Sequence, residues 1–178
     1  MKHWIQSAAL AAALVATAAH AGPQSAAAVA NGRVRIIKPM TVSAPAQMSF
    51  GKLQYNAGSG PATSPVVLSA AAPVTRTSPN VQLLPGGAET PAIRTITGQP
   101  GAVYRVGLPP TATASPGNLV VSAFKVWSAN GGDISATRLG QLNSAGTDTI
   151  RVGATLTVPV KTKVDTFPAN VPIAVSYE

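Results

Sequence analysis

The chain has 178 residues, no cysteine, and 13 lysines and arginines against 5 aspartates and glutamates. Disulfides are therefore excluded, and the only two histidines, His3 and His20, leave everything downstream without the usual general base and the usual transition-metal ligand. The length suits one domain with a real core, and the basic balance asks where the positive charge sits.

The start, MKHWIQSAALAAALVATAAHA, has the layout of a secretory signal peptide: Lys2, an apolar run from Ala8 to Ala19, and an Ala19-His20-Ala21 ending. The run is shorter than the roughly 20 apolar residues of a span, and no later stretch is a candidate to cross a membrane. Residues 1–21 are thus expected to direct export to the periplasm, the cell surface or the medium, with cleavage after Ala21. What remains carries twelve basic and five acidic side chains, and Trp127 as its sole tryptophan. The twelve are dispersed, which reads as a solvated face that aids solubility; attraction to an anionic envelope surface is the more specific alternative. Nucleic acid is not an expected partner, because no basic patch is interleaved with aromatics.

Residues 22–33, GPQSAAAVANGR, are small and without period, and read as a flexible leader. A single β-sandwich domain is expected over 34–178. It starts with Val34, Ile36, Met40 and Val42 at even spacing, a half-buried strand that Pro39 confines to an edge or breaks. In MSFGKLQY the apolar positions switch face across Gly51, which predicts a bulge. Residues 57–91 are rich in Ala, Pro, Ser and Gly, with two short strands at PVVLS and NVQLL. The alternation of AIRTIT predicts a strand over 92–97, a turn at 98–101, and a second strand through Val103 and Leu108. Another runs from Leu119 to Trp127 and ends at the turn signal ANGGD. ISATRLGQLNSAG adds a short strand before a turn at Asn143–Gly146, and TDTIRVGATLTVPVKTKV reads as a hairpin around Gly153. The last strand sets Val171, Ile173, Val175 and Tyr177 on an apolar face against Pro172, Ala174, Ser176 and Glu178. No segment after residue 21 keeps a helical period. Eight or nine short strands with frequent turns predict an all-β, antiparallel, immunoglobulin-like sandwich, with a barrel as the alternative.

Catalytic machinery is not visible. Ser49 and Lys52 have S-x-x-K spacing but lie in a strand pattern rather than at a helix start. The carboxylates Glu89, Asp133, Asp148, Asp165 and Glu178 form no D-x-D-x-D run, and the three aspartates stand beside turns or strand ends, where Asp bonds its own backbone. No cofactor, metal or catalytic residue is expected, and the protein is read as a non-enzyme. Trp127, beside SANGG, is the best candidate for a ligand platform.

MSFGKL, TGQPGAVYRVGLP, LNSAGTDTIRVGATLTVP and the final VSY resemble a secreted bacterial family known as domain of unknown function 4402, over roughly residues 34–178. A G-x-P-G-x-x-Y turn and an I-x-V-G-A-x-L stretch carry most of the likeness. The Gly- and aromatic-rich approach to the last strand that this family usually has is reduced here to Phe167. The family name implies no activity. Its layout is similar to the immunoglobulin-like subunits of chaperone–usher pili, which end in a strand with a penultimate tyrosine and lack one strand that a neighbour's extension fills. That likeness implies a pilin-like structural or adhesin-type protein, partnered by copies of itself or by a periplasmic chaperone, with Val171, Ile173, Val175 and Tyr177 lining the groove. The alternative is a monomeric binding module for an envelope glycan or another anionic surface, with Trp127 as platform.

Overall fold

A computed structural model of the protein describes residues 36, 38–44, 47–55 and 60–178; the expected signal peptide (1–21) and leader (22–33) lie outside them. Every regular element among the described residues is a strand, and every strand pairing is antiparallel. The first six are β1 (Thr41–Val42), β2 (Met48–Tyr55), β3 (Thr63–Leu68), β4 (Arg76–Thr77), β5 (Gln82–Leu83) and β6 (Glu89–Thr90). Then come β7 (Ala92–Thr97), β8 (Val103–Gly107), β9 (Ala112–Ala114), β10 (Leu119–Ser128) and β11 (Gly132–Asp133). The chain closes with β12 (Leu139–Gln141), β13 (Thr147–Pro159), β14 (Thr162–Ala169) and β15 (Ala174–Tyr177). Eight of these have four or more residues, matching the expected eight or nine; the other seven are pieces of two or three residues, and 57–91 holds four strands, β3 to β6, rather than the expected two. No helix among the described residues is long and apolar enough to cross a membrane.

The larger sheet follows the path β1-β7-β13-β10-β9-β14-β2-β5, and a small sheet has the order β12-β8-β15. β2 packs against β13 and β7, both remote from it along that path, so the sheet folds back over its own inner face. The corner is the single pairing Ala114↔Ala169 between β9 and β14. The enclosed core contains Phe50, Leu53, Tyr55, Ile96, Tyr104, Ile150 and Leu156, with the small sheet contributing Tyr104 and Val106. Burial of each large apolar side chain contributes roughly 1.5–3 kcal/mol. With no disulfide, that packing and the strand hydrogen bonds hold the domain.

β2 behaves as its sequence predicts. Met48 and Phe50 are buried before Gly51, Leu53 and Tyr55 after it, and Gly51 takes φ +68° to make the switch. What the sequence did not show is the guanidinium that fills the bulge. Arg76 Nη1 donates to Phe50 O (3.0 Å) and Lys52 O (2.8 Å), and Nη2 donates to Leu84 O (2.9 Å). Its side chain is only 7 % exposed, and Arg94 on β7 is 5 % exposed. These two arginines therefore depart from the expected solvated face; both serve the interior.

The expected hairpin around Gly153 is also corrected. β13 runs unbroken from Thr147 to Pro159 and changes partner instead of direction: β7 pairs with 147–152 and β3 with 154–159. Gly153 sits at the exchange, where a Cβ would lie 2.3 Å from Leu68 O and 2.6 Å from Ala70 N. The glycine admits a crossing backbone, and the reversal comes at Val160–Lys161, before β14.

Candidate functional site

β15 pairs only with β8, in the register Ala174↔Gly107 through Tyr177↔Tyr104, and is thus an outer strand of the small sheet. The Glu178 N–H donates to Val103 O at 3.2 Å. Backbone groups alternate sides along an antiparallel strand, so those of Ser176 and Ala174 also face β8, while those of Val175 and Tyr177 face away. No other described strand pairs with that edge. Val171 is fully buried; Ile173, Val175 and Tyr177 are half-buried and pack on the core, and the alternate positions Pro172, Ala174, Ser176 and Glu178 are exposed. The four apolar positions picked from the sequence thus share one face, although the strand proper begins only at Ala174.

Tyr177 holds this strand in place. Its hydroxyl accepts from Gln99 N (2.7 Å) and donates to Lys38 O (2.6 Å). Gly98 makes room, since a Cβ there would lie 2.4 Å from the hydroxyl oxygen. Next to it, Arg105 Nε and Nη2 donate to Glu178 Oε2 (2.8 Å) and Oε1 (2.6 Å). That fork holds the Glu178 carboxyl below its ordinary pKa, chiefly by the hydrogen bond from Arg105. A carboxylate depressed by folding contributes stability above its unfolded pKa and loses it as pH falls through the folded value. Amide exchange in β15, corrected for intrinsic rates, is expected to be flat from neutral pH to about pH 5 and to rise below about pH 4. Arg105→Gln should remove that rise.

A buried polar cluster joins the two sheets behind β8. Asp148, only 3 % exposed, receives Tyr104 Oη (2.5 Å) and Ser128 Oγ (2.6 Å) on Oδ2, and Thr149 N (2.7 Å) and Asn130 N (3.2 Å) on Oδ1. Burial first, then the hydrogen bond and charge of Asp148, pushes the Tyr104 hydroxyl up. Among the described residues no buried side-chain polar atom lacks a partner, so the cluster is a fully hydrogen-bonded brace between the sheets. Asp133 and Asp165 follow the expected local pattern, bonding Ser135 N and Thr166 N. Asp148 does so with Thr149, but the sequence did not reveal its cross-sheet role. Ser49 and Lys52 both lie within β2, and Ser49 Oγ accepts from Gly51 N.

Trp127 lies on the outward face of β10, opposite Asp133 of β11, and is 37 % exposed. It lines a cleft of about 240 Å³ together with Lys125, Asp133, Ser135 and the end of β3 at Val67–Ala71. The platform proposed from the sequence and the last-strand face are separate features of the molecule.

Residues 40–177 match the family described as Domain of unknown function (DUF4402). No curated protein and no solved structure matches the chain.

Proposed function

The chain belongs to the DUF4402 family, and from that premise and the geometry of its last strand we propose that it is an exported, non-enzymatic structural or adhesin-type protein that assembles by strand addition at β15. The observation that carries this reading is the open edge of β15. Val175 and Tyr177 turn outward backbone groups that no described strand pairs, directly above half-buried apolar side chains. An added strand would gain backbone hydrogen bonds from the edge and specificity from the pockets between alternate side chains. The partner is another copy of the chain, or a chaperone that covers the edge until assembly.

The segment leading into the domain supplies a donor. Tyr177 pins Lys38, and Ile36, two residues earlier, is 93 % exposed. Val34 and Ile36 have the alternate spacing that such a groove accepts.

Light scattering and thermal melts of residues 22–178 and 37–178, both produced in a periplasm, test the proposal. Assembly of the longer chain, with a monomer of lower melting temperature for the shorter, is expected. A stable monomer with the same sharp melt in both would overturn it. Val175→Pro gives a finer test, because it deletes an N–H that faces away from β8, where proline is tolerated. It should abolish assembly while lowering the melting temperature by only a few degrees, the effect of about 1 kcal/mol in a domain of this size. A charged residue at Val175 should block assembly too, at a greater cost to folding.

A further inference from the structure

The cleft beside Trp127 is an opening that β13 creates. Where β3 leaves its pairing at Leu68 and crosses Gly153, its end stands off from β10 and leaves Lys125 and Trp127 as a floor. The β11 turn closes one side: Asp133 pairs with Trp127, and a Cβ at Gly132 would lie in ordinary contact, 3.8 Å, with the indole ring. Val67, Ala70 and Ala71 form the other side.

Hydrogen-bonding capacity around this apolar surface is unevenly spent. Ser135 Oγ is engaged with Asp133 Oδ1 and Val126, and Ser69 Oγ with Ala71 O. Asp133 Oδ2, the Lys125 ammonium and the Trp127 indole N–H hold no hydrogen bond to any described residue. The indole, whose own N–H is a further donor, is therefore accompanied in the cleft by the acceptor Asp133 Oδ2 and the donor Lys125. A small anion would meet the Asp133 carboxylate, a small cation the Lys125 ammonium, and a purely apolar ligand would desolvate both charges without repaying them. Ligand sites for drug-sized molecules run to roughly 300–1,000 Å³, so a cleft of about 240 Å³ suits a single ring.

We propose that this cleft is a binding subsite for one neutral pyranose ring of a glycan. The C–H face of the sugar stacks on Trp127, one hydroxyl donates to Asp133 Oδ2, and a neighbouring hydroxyl accepts from Lys125. The site is independent of the β15 edge.

Once residues 1–21 are removed, Trp127 is the sole tryptophan, so its emission reports occupancy directly. Titration with maltotriose, cellotriose and the trimer of N-acetylglucosamine should give, for at least one, a saturable shift with a midpoint on the order of 1 mM, the affinity of a small contact. Lys125→Met and Asp133→Asn keep the reporter and should each weaken that binding at least fivefold. Ligand-observed magnetic resonance should show the signal lost in Trp127→Ala, whose melt should match the parent because the side chain is partly exposed. No saturable shift with any of the three sugars would overturn the proposal. So would unchanged binding in both polar variants, or tighter binding of sodium phosphate or glucuronate than of every neutral sugar. Val175→Pro should leave the titration unchanged; its loss there would place the two features in one site and overturn their independence.

Discussion

Gly153→Ala is expected to lower stability by about 3 kcal/mol, at the upper end for overpacking a core, and to drop the melting temperature by roughly 6–12 °C. The reason is what the added methyl group meets. It would stand 2.3 Å from Leu68 O, 2.6 Å from Ala70 N and 2.7 Å from the Ser69 carbonyl carbon, all backbone atoms that no side-chain rotation can move. Relief requires pushing the β3 end away from β13, which loosens pairing from Ala154↔Leu68 onward. Chemical denaturation reads the loss, and amide exchange should place it in β3 and in 154–159 more than in β7. A variant that unfolds at the parent's midpoint would mean that the crossing has room to spare.

Arg76→Ala is expected to cost about 3–4 kcal/mol, since hydrogen bonds to a charged donor contribute roughly 1.5–3 kcal/mol each and do not add fully. Three carbonyls from one strand and a loop, Phe50 and Lys52 on β2 and Leu84 just after β5, lose their shared donor at once. Arg76→Lys should recover less than half, because an ammonium cannot reproduce the planar fork. Glu89→Gln separates this from ion pairing: Glu89 lies 3.8 Å from Nη2 and is 37 % exposed, so its loss should cost no more than about 1 kcal/mol. If Glu89→Gln proved as damaging as Arg76→Ala, the salt bridge rather than the carbonyl clamp would be the stabilising unit.

Both residues mark the boundary of what the sequence discloses. Strand alternation is local information, so 92–97, 119–127 and the face made by Val171, Ile173, Val175 and Tyr177 could be read from period two alone, and the face switch at Gly51 from a glycine between two apolar pairs. Gly153 is a different case. In the linear sequence a glycine amid alternating residues signals a turn or a close approach, and only the distant 68–70 segment decides which. Arg76, Arg94 and Asp148 were misjudged or half-read for the same reason: their charges point outward by default, and burial depends on acceptors and donors far along the chain. The polar brace at Asp148 had one clue, the tyrosine of the G-x-P-G-x-x-Y turn, but not its partner 44 positions away. The Trp127 cleft was legible only as an aromatic beside a turn. Its second side comes from β3, whose crossing no local pattern predicts.

The Tyr177 hydroxyl ties Gln99 N to Lys38 O across 139 positions of sequence. Contacts of such separation close late, because the chain entropy of the loop is lost before the contact repays it. The chain leading into β1 therefore gains its full set of contacts only once β15 is in place. Until Tyr177 docks, one edge of β8 stays bare and Lys38 lacks the bond that the hydroxyl gives it, an interval in which that edge is open to proteases and to wrong partners. One hydroxyl thus makes the seating of β15 and the seating of the chain before β1 a single closing event, and whatever displaces that strand unseals both places at once.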